Sequence, residues 1–228
     1  MCALWVAGLG AGCATGALGP EAAASVDARP TSAELEAGLR EALHLAVERT
    51  GVRTARRGGF AGDPQLRIEV PEDLLGPASA LREAGMGWAV DEFEASMNRA
   101  AEASAAGALP LLDAAVDALA LEDAEALLER EDAALALRLR EGAGLREGMV
   151  PIAAGALAEA EVESRYLDLS ARLATLQLHE DPRFELDAYV LDRTLEGLFA
   201  VLAQEELRIR EEPPARTTEL LRRVFESR

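Results

Sequence analysis

The chain has 228 residues; half of them are apolar but only 4% are aromatic, and the formal net charge is −18. Ala and Leu dominate, a composition that favours close-packed helices over β-sandwiches, which are rich in branched and aromatic residues. An acidic surface repels phosphate backbones, which argues against nucleic acid as a partner. All 23 basic residues are Arg, which excludes the lysine chemistry of Schiff bases and P-loops.

The N-terminal segment is similar to the end of a bacterial lipoprotein signal. Residues 1–12, MCALWVAGLGAG, form a short apolar run before Cys13, and in such signals cleavage precedes a Cys that becomes lipidated. The segment departs from the pattern because it lacks the initial basic residue that secretory signals carry. An ordinary signal cut near residues 22–24 and a cytoplasmic N-terminus remain alternatives. The run is well short of the roughly 20 residues that span a membrane.

The rest of the chain predicts one helical domain. Residues 1–30 are interpreted as the signal-like segment and a flexible tether, since residues 14–30 are rich in Ala, Gly and Pro. Residues 31–228 are interpreted as a single all-α domain of several helices with a long central C-terminal helix. Cys2 and Cys13 are the only cysteines, so this domain has no disulfide and no thiolate metal site.

The helices are predicted in chain order from their caps and apolar periodicity. Thr31 and Glu34 form a capping box that opens the first helix, and Gly51 is expected to end it. A loop with the basic residues Arg53, Arg56 and Arg57 follows, and the alternating segment 66–70 is expected to be an extended arm lying on helices. Further helices are predicted over 71–85, 88–106, 110–120, 122–139 and 149–173, with a loop over 177–185 and a last helix over 215–226.

The strongest pattern is the long helix that Asp187 is expected to cap and that Pro213 and Pro214 are expected to end. Its large apolar residues fall on one broad arc at about 100° per residue. Glu205 and Glu206 lie at the two edges of that arc. A carboxylate there needs a cation or several donors, so we expect Glu206 to be buried with a guanidinium in reach. A solvated ion-pair network at the helix edge is the alternative.

A series of short motifs, in one order, resembles the bacterial domain-of-unknown-function family numbered 4197. The motifs run from about residue 32 to residue 225: Gly59-Phe60, Asp63-Pro64, Ile68-x-Val70-Pro71, Asp91-x-Phe93, Met97 to Glu102, Glu122-Asp123-Ala124, Tyr189-Val190, Gly197 to Phe199, Glu206, Ile209-Arg210, Pro214, Arg216-x-Thr218 and Leu220 to Phe225. The resemblance implies an exported, wholly helical bacterial protein and no established activity. The chain departs from the family in its middle, where Leu135 and Leu137 replace a Thr and a Tyr.

The sequence predicts no catalytic, cofactor or metal site. It lacks a Gly-x-Ser-x-Gly motif, and the pair Glu41 and His44 has di-iron spacing without the second pair and the further carboxylates that such a site needs. His44 points away from the apolar face of its helix and is expected to be a solvated surface residue.

One polar set remains as the candidate site: Asn98, Arg99, Glu102, Glu205, Glu206, Arg210 and Arg216. The favoured interpretation is a structural clamp between helices, because the planar fork of Arg suits two-point pairing with carboxylate. The alternative is an anion-binding or carboxylate-binding cleft between the helix of Asn98 and the helix of Glu206.

These observations favour an exported binding or scaffold protein without catalysis, located in the periplasm or as an outer-membrane lipoprotein. Its expected partner is a protein or small ligand of the cell envelope, and it contacts the membrane only through a lipid anchor at Cys13. The alternative function is a carboxylate-dependent hydrolase with a cleft near Glu205 and Glu206.

Overall fold

The computed structural model describes residues 29–121, 124–129, 144–178 and 185–226. The described part is all-helical, as predicted, and contains no strand. Its α-helices are α1 Ser32–Thr54, α2 Glu72–Glu83, α3 Gly87–Ala118, α4 Ala124–Leu128, α5 Leu145–Glu159, α6 Val162–Thr175, α7 Leu186–Glu211 and α8 Glu219–Glu226, with a 3₁₀ turn at Pro213–Ala215 before α8.

Two long helices, α3 and α7, lie at the centre of the packing. α3 packs against α1, α2, α5, α6 and α7, and α7 packs against α1, α3 and α5. α4 and α8 both lie against α1. The apolar faces of all these helices join one continuous hydrophobic core, because each amphipathic helix must bury its stripe against another.

α1 begins as predicted but ends later. The Thr31 side chain accepts from the Glu34 amide and the Glu34 side chain accepts from the Thr31 amide, which completes the capping box. Gly51 does not end the helix, which continues to Thr54. A Cβ on Gly51 would lie 2.6 Å from a methyl group of Leu109, so this glycine permits close packing against α3 instead.

α3 is one helix where the sequence predicted two. It runs through Pro110, although proline removes one backbone hydrogen bond from a helix interior. Both Pro110 and Ala106, whose carbonyl loses its partner, are exposed, so water can satisfy that carbonyl. Packing against α1 and α5 on the opposite side holds the helix together.

The C-terminal boundaries also differ from the prediction in three places. The helix predicted over 149–173 divides into α5 and α6 at Glu161, whose φ of 56° is left-handed. Asp187 lies inside the first turn of α7, and the cap position is Glu185, which makes no side-chain capping bond. The last helix starts at Glu219 because the chain leaves helical geometry at Arg216, and the Thr218 hydroxyl accepts from the Leu221 amide at 3.2 Å.

Of the helix predicted over 122–139, the described residues contain α4 alone. The departures at Leu135 and Leu137, most of the loop predicted over 177–185, and the whole segment 1–28 with Cys13 lie outside the described residues.

Candidate functional site

Glu206 is buried and ion-paired, as predicted. It is 1% exposed, and its Oε1 accepts from Nε and Nη2 of Arg210 at 3.0 and 2.7 Å. The third guanidinium nitrogen, Nη1, donates to the carbonyl of Leu127 at 3.2 Å. The ion pair therefore joins two successive turns of α7, and Arg210 also links α7 to α4.

Arg216 caps the C-terminal end of the same helix. Its Nε donates to the carbonyl of Ile209 at 3.1 Å and its Nη2 to that of Arg210 at 2.7 Å. The last carbonyls of a helix have no intrahelical partner and carry partial negative charge, so a cation there is favourable. The guanidinium also lies 5.9 Å from the ring centroid of Phe225 on α8.

Glu205 is also buried, at 9% exposure, but its surroundings differ from those of its neighbour. Its Oε2 lies 3.7 Å from Nη1 of Arg49 on α1 and 3.8 Å from Nη1 of Arg208. Both distances are too long for a hydrogen bond. Within the described part of the chain, Oε2 of Glu205 and Nη1 of Arg49 are buried atoms without a hydrogen-bond partner.

Asn98 and Glu102 belong to a separate polar ladder on α3. The Asn98 amide accepts from the Ile68 amide at 3.0 Å and donates to the Ile68 carbonyl at 2.7 Å. Glu102 accepts from the backbone amide of Phe60 at 3.2 Å. One turn before Asn98, Glu94 accepts from the Val70 amide at 3.3 Å. These three side chains hold the segment 60–70, which we call the arm; the sequence predicted an extended arm over residues 66–70 of it.

The structure therefore divides the predicted polar set into groups. Glu205, Glu206, Arg210 and Arg216 gather at the C-terminal end of α7, whereas Asn98 and Glu102 bind backbone of the arm. Arg99 is exposed and makes no hydrogen bond or ion pair with another described residue.

Sequence reasoning missed Glu94 and Arg49. Glu94 precedes Asn98 by one helical turn on the buried face of α3, and that spacing was a usable signal. Arg49 had none, since its relation to Glu205 depends on how α1 packs on α7.

His44 lies at the surface, as predicted, with its side chain 36% exposed, but it also has two carboxylate partners there. Its Nδ1 and Nε2 each lie 3.0 Å from a carboxylate oxygen, one of Asp113 and one of Asp117. One turn earlier Arg40 donates to the carbonyl of Val116 and, at 2.9 Å, to that of Asp117. The sequence did not predict these partners, because they arise where α3 continues past Pro110 and brings its acidic last turns beside α1.

The basic cluster is only partly available to a ligand. Arg53 lies in the last turn of α1 and donates to Asp63 at 2.6 Å and to Gln204 at 2.6 Å. This guanidinium, together with the backbone amide of Gln65, lowers the pKa of the Asp63 carboxyl. Arg56 and Arg57 are exposed.

The described residues contain no group of three or more His, Cys, Asp or Glu side chains placed to hold a metal ion. None of the helices described is both long and apolar enough to cross a membrane.

Comparison with known proteins yields one match. The family model described as "Protein of unknown function (DUF4197)" matches residues 29–226. No curated protein and no solved structure matches the chain.

Proposed function

The chain belongs to the DUF4197 family of proteins of unknown function, and we propose that it is an exported binding or scaffold protein of the bacterial cell envelope that performs no catalysis. The observation that supports this proposal most is the buried ion pair of Glu206 with Arg210 at the C-terminal end of α7. A general base needs a lone pair within reach of the substrate. The Glu206 carboxylate accepts two N–H groups from Arg210 on one oxygen and is 1% exposed.

The surrounding contacts support a rigid framework. Arg210 links α7 to α4. Arg216 caps the C-terminal end of α7, and Arg40 caps that of α3 by donating to the carbonyls of its last residues. In each case a guanidinium satisfies backbone carbonyls that a helix end leaves without partners. Such contacts hold the ends of the long helices in fixed positions, as a scaffold or a preformed binding surface requires.

The hydrolase alternative gains no support from this arrangement. Glu206 cannot meet a substrate, and Glu205 lies between the guanidinium groups of Arg49 and Arg208. The two carboxylates therefore do not form the acid and base pair that a carboxylate-dependent hydrolase needs.

Export is proposed from the sequence of the N-terminal segment. A Cys preceded by small residues and a short apolar run fits lipidation after cleavage, and Ala14 after the Cys favours sorting to the outer membrane. In this proposal residues 14–30 tether the helical domain to the membrane, and the partner is a protein or small ligand of the envelope.

Metabolic labelling tests the anchor. A fatty-acid analogue should label the wild-type protein in its native host and bring it into the membrane fraction. Cys13→Ser should abolish the label, whereas Cys2→Ser, the matched control, should leave it unchanged. Wild-type protein that is unlabelled and found wholly in the soluble fraction would rule out the lipoprotein.

A further inference from the structure

The outer face of α5 is apolar although it is exposed to water. Residues 148–158 of this helix contain no polar or charged side chain, in a chain in which 28% of the residues are charged. The exposed members of this run, which we call the α5 face, are Val150, Pro151, Ala154, Gly155 and Ala158. A surface helix normally presents polar residues to water, and a helix that is apolar on every side is normally buried. An exposed apolar face of this kind marks an interaction site.

A groove continues the α5 face toward α7. It has a volume of about 420 Å³, which lies within the roughly 300–1,000 Å³ of binding pockets. Val150 and Ala154 line it from α5, and Leu186 and Ala188 line it from α7. All four residues are at least partly exposed, and Val150 is 49% exposed. The apolar surface of the groove is therefore accessible to a partner.

Carboxylates surround this apolar surface. Four exposed ones are Glu147 and Glu159 near the ends of α5 and Glu185 and Asp187 beside the first turn of α7. None of the four forms an ion pair with another described residue. Arg146 also lies at the rim of the groove, but its charge is balanced by Asp192 of α7, to which it donates at 2.8 Å.

The surrounding charge selects the kind of partner. Unpaired carboxylates around an apolar surface favour an occupant that is apolar in the middle and basic at its edges. A second copy of the chain is disfavoured, because an antiparallel α5 would bring Glu147 against Glu159 and a parallel one would bring like residues together. An anionic lipid surface would be repelled by the same carboxylates.

We propose that the α5 face and its groove bind a basic amphipathic helix of a partner protein. The apolar side of that helix lies along Val150 and Ala154, as in other complexes of a helix with a groove, and its Lys or Arg side chains pair with the surrounding carboxylates. α5 has 15 residues, so the face is roughly 20 Å long and accommodates about 14 residues of a helix. This deepens the proposed function, on which it rests, by giving the chemistry of the protein partner.

Fluorescence anisotropy of three labelled peptides of about 14 residues, titrated with the full chain, tests the site. The first peptide has Leu on one helical side and Lys on the other, and the second has Glu in place of Lys. The third contains the residues of the first in an order that gives no apolar side. The first should bind about ten-fold or more tightly than the third, and the second should not bind because like charges repel.

Equal binding of the first and third peptides would overturn the docking face in favour of unspecific attraction to an acidic chain. Equal binding of the first and second would overturn the selection by charge. Absence of binding by the first peptide would overturn the site altogether.

Variants assign the binding to α5. Ala154→Gln and Gly155→Gln each place a polar side chain within the α5 face and should weaken the first peptide about ten-fold or more. The Cβ position of Gly155 has no atom within 4 Å, so the substitution leaves the fold intact, and circular dichroism melts check this for both variants. The matched control is Gly76→Gln, because Gly76 is an exposed glycine of α2 that also has no atom within 4 Å of that position. It should bind as the wild type does, and unchanged binding in both α5 variants would overturn the assignment.

A charge variant and two further measurements test the kind of partner. Glu159→Gln combined with Glu185→Gln should weaken the first peptide about three-fold or more, because two of the surrounding charges are lost. Unchanged affinity would overturn their role. In light scattering, a dimer that Gly155→Gln dissociates would overturn the proposal by assigning the face to a second copy. Phosphatidylglycerol vesicles that bind the wild type but not Gly155→Gln would overturn it in favour of a lipid surface.

The peptide titration and the Cys13 labelling fail independently. Absence of peptide binding overturns the docking face and leaves the labelling result unaffected. Wild-type protein that is unlabelled and soluble overturns the lipoprotein, whether or not the peptide binds.

Discussion

At the scale of single residues, a carboxylate that is buried away from water needs hydrogen-bond donors within the protein. Glu206 finds two of them four residues along its own helix, in Arg210. The side chains of both residues are at most 8% exposed, so this pair differs from the surface pairs of the chain. The pair of Arg208 with Glu212, by contrast, is exposed and is screened by water.

Glu206→Ala should therefore lower the free energy of unfolding by about 3–5 kcal/mol, because the charge of Arg210 stays buried after it loses the carboxylate that balances it. Urea denaturation measures this difference. The matched control is Glu211→Ala, in the exposed last turn of the same helix, which should change the free energy by less than about 0.5 kcal/mol. Equal stability of the two variants would contradict the buried pair.

Asp63 should make the free energy of unfolding depend on pH in the acid range. Hydrogen bonds from Arg53 and from the Gln65 amide lower the pKa of its carboxyl in the folded protein. The stability that Asp63 contributes is thus present above its unfolded pKa of about 3.9, and is lost as pH falls through the lower folded pKa.

The experiment compares the free energy of unfolding of the wild type and Asp63→Asn from pH 7 to pH 2. The advantage of the wild type should be constant above about pH 5 and shrink below about pH 4. Glu34, whose pKa is also lowered, is present in both proteins, so the difference isolates Asp63. An advantage that does not change with pH would argue against this ion pair.

At the scale of the elements, glycines inside the helices show how closely the elements approach. Gly197 lies in the middle of α7, and a Cβ built on it would come within 2.8 Å of the ring of Phe60. Phe60 is fully buried and its backbone amide donates to Glu102 of α3. Gly155 in α5 has no atom within 4 Å of the same position.

The two glycine-to-alanine variants should therefore have opposite effects on stability. Gly197→Ala should lower the free energy of unfolding by about 1–3 kcal/mol, since it overpacks the core. Gly155→Ala should raise it by about 0.5–1 kcal/mol, the usual gain from alanine in an open helix position. Thermal and urea melts measure both. A stabilising Gly197→Ala would mean that α7 and the arm are further apart than described.

At the scale of the whole molecule, the arm connects parts of the chain that are distant in sequence. Its backbone is held by Glu94, Asn98 and Glu102 of α3. The Tyr189 hydroxyl of α7 donates to the carbonyl of Glu69 at 2.8 Å, and burial raises the pKa of this tyrosine. The arm therefore covers the core where α3 and α7 meet.

Asn98→Ala should release the arm, because it leaves the amide and the carbonyl of Ile68 buried without their partners. The expected loss is on the order of 3 kcal/mol, at about 1–3 kcal/mol for each unsatisfied group. Hydrogen exchange measured by NMR should show a much faster Ile68 amide. Ser96→Ala, a buried change on the same helix whose hydroxyl bonds only to Phe93 of α3, should leave the exchange of that amide unchanged.

The sequence by itself determined that the described part of this chain is helical and which face of its long C-terminal helix is buried. Apolar periodicity predicted the long helix α7, which has 26 residues, and a capping box placed the start of α1. The i,i+4 spacing of Glu206 and Arg210 made their pairing predictable, because that spacing is local to one helix.

Only the tertiary structure decided what each buried face meets. Nothing along the chain relates Arg49 to Glu205, since the contact arises where α1 packs on α7. For the same reason the sequence did not predict that α3 continues through Pro110, because packing on α1 and α5 outweighs the local preference of Pro110 to end a helix. Periodicity is a property of one element, whereas a cavity or an interhelical contact depends on two elements that the sequence places far apart.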